Sequence, residues 1–180
     1  PLYVKAMVIS NAQQTVAIVT LDTLKYFTAD TDIAKNYIQL KTGIPTNNII
    51  ICASHTHSGP LVTWYSDHLI LKMRDAILAA INDLSPCRMG TATGTVTGVS
   101  HNRRLLDATN DCWNDWFPNI PPGCTVEGPV DPDLVVLAVE GTNGQYKAIL
   151  YSYAAHPAAT MSIAKISADY PGHVENYLVD

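Results

Sequence analysis

The stretch Ser54-His55-Thr56-His57-Ser58-Gly59-Pro60 constrains the fold more than any other, because it sets two imidazoles two residues apart just as an apolar run stops. That run, Asn48-Ile49-Ile50-Ile51-Cys52-Ala53, is bounded by Pro45-Thr46-Asn47 before it and by Ser58-Gly59-Pro60 after it. An unbroken, β-branched apolar block between turn formers reads as a strand buried on both faces, with Cys52 in the core. The histidines then stand at its C-terminal end, the edge where ligands and catalytic groups collect in open α/β sheets. A His-x-His pair alone has two readings: a metal or catalytic pair, or a polar strand exit that satisfies loose backbone groups.

Composition narrows the partners. With 180 residues, 47% of them apolar and 15% charged, the chain has enough for one globular domain with a sizeable core. A net charge of −5, with Arg103-Arg104 the adjacent basic pair of note, argues against nucleic acid, which calls for a basic stripe. No apolar run approaches the roughly 18 residues of a membrane span, and nothing at the start resembles a signal peptide. The chain opens at Pro1 directly on a strand-like segment, which suggests a processed product or a piece of something longer. The four cysteines show no C-x-x-C spacing; Cys112 and Cys124 bracket a Trp- and Pro-rich loop and could bridge in an oxidising compartment.

Taken in order, Leu2 to Ile9 and Thr15 to Leu21 read as a β-hairpin. Asp22 closes the second strand, as an acid near the site or as the cap of the next turn. Ile33, Tyr37 and Leu40 recur at helical spacing over 31–42, with Thr31 or Asp32 as N-cap and Gly43 and Pro45 as the stop. A second helix is expected from about Asp67 to Leu84, with Ile70, Met73, Ile77, Ile81 and Leu84 on one stripe and His68 in its first turn. Cys87 to Ser100, interrupted by Gly90, Gly94 and Gly98, suits a bent strand. Residues 105–130 carry no periodicity and read as a long aromatic loop, either lining a substrate entrance or forming a satellite core. Strands at Leu134–Glu140 and Tyr146–Ala155 flank the turn Gly141-Thr142-Asn143-Gly144, and the second runs into His156-Pro157. Two histidine sites at two strand ends strengthen the metal reading, because zinc ligands converge from separate elements. The architecture this implies is α/β: mixed β-sheets flanked by helices, with the site at the C-terminal ends of strands.

Five short motifs extend the argument. Ser-His-Thr-His-Ser-Gly-Pro at 54–60, Asn102-Arg103, Gly-Pro-Val-Asp-Pro at 128–132, Ala155-His156-Pro157 and Ser-Ala-Asp-Tyr-Pro-Gly at 167–172 stand in the order and approximate spacing of the neutral/alkaline (non-lysosomal) ceramidase family. The chain resembles the N-terminal part of that family's catalytic domain. The resemblance implies a zinc-dependent amidase that hydrolyses the N-acyl bond of ceramide to a sphingoid base and a fatty acid. It implies that His55 and His156 ligate zinc, and that His57 and Arg103 hold or polarise the amide. It also implies a Glu and a Tyr in the zinc shell, and an immunoglobulin-like domain, from regions that would lie beyond Asp180. Residues 1–180 are thus expected to form a single α/β domain, an incomplete portion of a larger catalytic domain. The remaining ligands would come from the rest of the polypeptide or from a second chain. Asp22 and Asp169 are the in-chain carboxylates that could substitute, or orient a ligand imidazole through its other ring nitrogen. By the same resemblance the substrate is a lipid amide and the compartment secreted or extracytoplasmic. Trp64, Tyr65 and the Trp113 to Phe117 loop are candidates for an apolar slot.

Two other readings stand beside this one. The unit could be a non-catalytic structural or binding domain on a ceramidase-like scaffold, because two histidines fall short of the three protein ligands usual for catalytic zinc. It could also be a metallohydrolase acting on a non-lipid amide.

Overall fold

The computed structural model describes the chain except Ala12, Asn110, residues 115–119 and Asp180, and except the side chains of Cys112, Trp113 and Asn114. The chain divides into two compact units, one made of Pro1–Ser85 with Pro157–Asp180 and the other of Pro86–His156.

The first unit begins with the expected hairpin. β1 (Val4–Ser10) and β2 (Thr15–Leu21) pair antiparallel from Val4 opposite Leu21 to Ser10 opposite Thr15. The Asn11 carboxamide oxygen closes the turn by accepting the backbone N–H groups of Gln13 and Gln14 at 2.9 and 2.7 Å, an Asx-type turn. α1 (Thr28–Thr42) then returns the chain so that β3 (Ile49–Ala53) lies parallel to β2, as a parallel pair requires. Gly43 ends α1 in the left-handed region at φ 76°, its N–H bonding to the Gln39 carbonyl. α2 (Ser66–Asn82) follows, and α3 (Asp169–Val179) closes the chain.

β2 is the central strand of the order β1-β2-β3, and the period of two decides the core. Ala17, Val19 and Leu21 are fully buried with Ile49 of β3, Ala34 and Ile38 of α1, and Leu69, Met73 and Ile77 of α2. Each large aliphatic side chain so buried contributes roughly 1.5–3 kcal/mol. Lys5 points from the opposite face of β1 and pairs with Glu175 of α3.

Four expectations are corrected here. β3 is an edge strand buried on one face only, so Ile50 is 46% exposed and Cys52 is exposed rather than in the core. The buried stripe of α1 is Ala34 and Ile38, whereas Ile33 and Leu40 face solvent; the small Ala34 lets the helix approach the sheet, and counting bulky residues alone picks the wrong face. Helix α1 also starts earlier than Thr31, after Phe27, without a side-chain cap; Thr31 instead bonds back to the Phe27 carbonyl. α2 carries the predicted Met73 and Ile77, adds Leu69, and leaves Leu84 exposed.

In the second unit β4 (Cys87–Thr95) pairs antiparallel with β8 (Asp133–Gly141), which pairs with β9 (Tyr146–Tyr153) across the Gly141–Gly144 turn. β4 stays in register throughout despite Gly90 and Gly94. Between β4 and β8 the expected irregular loop contains β5 (Arg104–Leu106), β6 (Cys112–Asn114) and β7 (Thr125–Val126), in the order β6-β5-β7 around buried Leu105. Trp116 and Phe117, and the side chains of Trp113 and Cys112, lie outside what is described; Cys124 is a free thiol. Among the described residues, no helix is long and apolar enough to cross a membrane.

The α1 correction carries a direct test. Ile38→Ala should cost about 2–5 kcal/mol of unfolding free energy, and Leu40→Ala no more than about 0.5 kcal/mol, as measured by urea titration; equal losses would contradict the assigned helix face.

Candidate metal centre

The parallel pairing of β2 and β3 brings both strands to the same edge, and the backbone ladder runs on past them. Ser54 N–H donates to the Leu21 carbonyl at 2.9 Å and His55 N–H to the Thr23 carbonyl at 3.0 Å. His55 then leaves the strand direction in the left-handed region, at φ 67°, a conformation that costs a non-glycine residue about 1–3 kcal/mol and persists only where the surroundings hold it. One such restraint is its own ring: Nδ1 lies 2.5 Å from the Leu24 carbonyl oxygen. That carbonyl can only accept, so Nδ1 carries a proton; in a neutral ring this makes Nε2 the nitrogen for a metal. The His57 ring stands edge-on to it, centroids 4.9 Å apart at 86°.

Residues 56–58 are stitched to the segment 157–169 of the same unit. Fully buried Thr56 donates its hydroxyl to the Ser167 carbonyl at 2.7 Å and accepts Ser58 N–H at 3.2 Å. His57 N–H points to the Pro157 carbonyl at 3.4 Å, and Ser167 N–H bonds to the Ser58 carbonyl at 2.9 Å. The Tyr65 hydroxyl bridges buried Thr23 at 3.1 Å and the Pro60 carbonyl at 3.3 Å, bracing the far end of the loop. Neither threonine was legible as a site residue; for Thr56 the one signal was its place between the two histidines.

His156 follows β9 by three residues and is joined by one peptide bond to Pro157, whose carbonyl receives His57. Consecutive Cα atoms are about 3.8 Å apart, so His156 is tethered beside the loop by the chain itself. His55, His57 and His156 each offer one ring nitrogen, and these lie within 4.8 Å of one another, a group that could hold a metal ion.

The two carboxylates are engaged elsewhere. Asp22, 8% exposed, accepts Tyr3 N–H at 2.9 Å and ties down the start of the chain. Asp169, 1% exposed and itself left-handed at φ 57°, accepts the Thr160 N–H and hydroxyl, both at 2.7 Å, and Tyr170 N–H at 2.7 Å. Burial pushes its carboxyl up, but the hydrogen bonds from Thr160, Tyr170 and the Ala159 backbone outweigh it and hold the group below the ordinary aspartate value. Arg103 is exposed just ahead of β5; its neighbour Arg104 pairs with Glu127 at 2.5 Å, and Asp107 spends its carboxylate on Thr109 and Asp111. Trp64 is 77% exposed and His68 is exposed at the start of α2.

Asp169 makes stability depend on pH. Its folded value is depressed, so its contribution is complete above the unfolded value near 4 and drains away as pH falls through the folded one. Asp169→Asn should cost about 1–3 kcal/mol at pH 7, the usual range for orphaning a buried donor, and should cost less at pH 3; a loss independent of pH, by denaturant unfolding, would contradict a buried ionised carboxylate.

No protein-family model matches the sequence, and neither does any curated protein. Solved structures do match. A ceramidase complexed with C2 is 23% identical with a TM-score of 0.75, covering 94% of this chain and 28% of that one. Neutral ceramidase from Pseudomonas aeruginosa is 23% identical with a TM-score of 0.77, covering 94% of this chain and 29% of that one. The chain thus spans under a third of the length of these neighbours, and over nearly all of its own length it has the fold of part of a ceramidase.

Proposed function

We propose that the protein is a zinc-dependent amide hydrolase of the ceramidase type, cleaving the N-acyl bond of a lipid amide. The observation that carries the reading is the approach of three imidazole nitrogens to within 4.8 Å, two of them just past the parallel strand β3 and one just past β9, with the Nδ1 of His55 held on a carbonyl. The donor set fits the ion: imidazole nitrogens are usual zinc ligands, and a catalytic site keeps a position open. The motifs shared with the ceramidase family, and the ceramidase fold, point to the substrate class. When bound, the ion would supply Lewis-acid polarisation of the carbonyl and acidification of a water.

The residues of this chain have distinct parts in this reading. His55 and His156 hold the ion, and ligands from outside residues 1–180 complete its shell. His57, braced on both sides by backbone bonds, gives its ring proton to the nitrogen of the departing amine or to the developing oxyanion. Arg103 offsets the negative charge that grows on the carbonyl oxygen. Placement outside the cytoplasm belongs to the same proposal.

His57 within the three-nitrogen group also favours a second reading, in which it is itself a ligand. One experiment separates the two. Cobalt(II) titration followed by its visible spectrum should show one ion per chain, weakened more than about 100-fold by His55→Ala, beyond what losing an outer partner costs. His57→Gln should leave that binding intact while hydrolysis of N-acylsphingosine falls roughly 10²–10⁴-fold, the range for general acid–base loss. Loss of cobalt in His57→Gln makes it a ligand; no cobalt binding by the unaltered protein overturns the metalloenzyme. A panel of N-acyl amines tests the substrate: turnover of short, non-lipid amides in preference to long-chain ones would contradict the lipid assignment.

A further inference from the structure

Asp169 lies outside the histidine group, and its hydrogen bonds have a direction that can be worked out. An ionised carboxylate has no proton to give, so the single hydroxyl proton of Thr160 goes to Asp169 Oδ2 at 2.7 Å. Thr160 Oγ1 can therefore only accept from Ser58, whose hydroxyl oxygen lies 2.8 Å away. The order is fixed as Ser58 to Thr160 to Asp169, each bond polarising the next. Ser58 is the residue after His57, and its backbone is also held, by Thr56 Oγ1 at its N–H and by Ser167 N–H at its carbonyl. The anchor is rigid: Asp169 is 1% exposed, accepts three hydrogen bonds, and receives the Ser167 hydroxyl oxygen as partner of its own N–H at 3.0 Å.

We propose that Asp169 and Thr160 are positioning residues, a hydrogen-bonded brace that acts through Ser58 to hold the His57 ring in its working orientation. The proposal rests on the reading of His57 as a site group but concerns different residues, none of which ligates or reacts. Its physical content is that a loop with one left-handed, strained histidine at position 55 needs restraint on its far side, and the side-chain bond from Ser58 supplies it from a buried, fully satisfied acceptor. The same segment starts at Pro157, so the brace also limits movement of the chain next to His156.

The test compares Thr160→Val, which keeps the shape and loses the hydroxyl, with Thr160→Ser, which keeps the hydroxyl. Two readouts are taken on the folded chain: amide hydrogen exchange at His57 and Ser58, and cobalt(II) affinity. Thr160→Val should speed exchange at both amides about 10-fold, the effect of one lost hydrogen bond, and, by loosening the chain next to the ligand His156 rather than through the His57 ring, weaken cobalt about 10-fold, as loss of an outer support does. Thr160→Ser should restore both to within about 2-fold, because the bond and not the methyl carries the effect. Ser58→Ala combined with Thr160→Val should be no worse than either alone, since both cut one chain of bonds. Unchanged exchange in Thr160→Val, failure of Thr160→Ser to rescue, or additive losses in the double variant would each overturn the brace. If the unaltered protein binds no cobalt, the metalloenzyme reading fails while the exchange comparison still decides the brace.

Discussion

Parallel pairing of β2 with β3 is the constraint from which the site follows. Two parallel strands finish on the same edge, so the turn after Leu21 and the turn after Ala53 must run side by side, and the backbone bonds Ser54 to Leu21 and His55 to Thr23 zip them together. The pairing is itself enforced by burial. Ala17, Val19, Leu21 and Ile49 fill one face under α1 and α2, and a slip of one residue would turn that set out to solvent. The position of His55 is thereby tied to the core, not to the loop that carries it.

What the loop adds is orientation. His55 in the left-handed region spends conformational energy to turn its ring back onto the Leu24 carbonyl, which fixes Nδ1 as the donor of that bond. Asp169 is the other left-handed non-glycine residue among those described, buried and ionised, and its oxygens are matched to Thr160 and Tyr170. Strained residues held by satisfied polar neighbours commonly mark functional ground. Here the two sit on facing segments joined by Thr56, His57 and Ser58.

Much of this was legible in the sequence, for identifiable reasons. The hairpin, the strand ending at the His-x-His pair and the turn at Gly141–Gly144 are local signals, set by alternation and turn chemistry, and they appear where expected. His55 and His156 stood out because each ends a strand. The face of α1 was not legible, because small Ala34 rather than bulky Leu40 turns inward. The exposure of β3 was not legible either, since an edge strand and a central one can share an Ile-Ile-Ile run. Asp22 read as an acid near the site or, rather, as the cap of a turn, and its bond is to Tyr3 N–H; Asp169 was singled out as a carboxylate that could replace a ligand or orient an imidazole, and its bonds go to Thr160 and Tyr170. Sequence spacing could not reveal Thr160, nine residues short of the carboxylate that holds it. The short strands β5, β6 and β7 also escaped, because two or three residues carry no period.

The central claim is that imidazoles from two separate strand ends share one cation. X-ray absorption at the zinc edge, on the chain loaded with one equivalent of zinc, measures this directly. Our account predicts at least two imidazole nitrogens at about 2.0–2.1 Å, with the ring-carbon scattering beyond them that histidine gives. A first shell of oxygen or sulfur alone, unchanged when His55 is replaced, would contradict it.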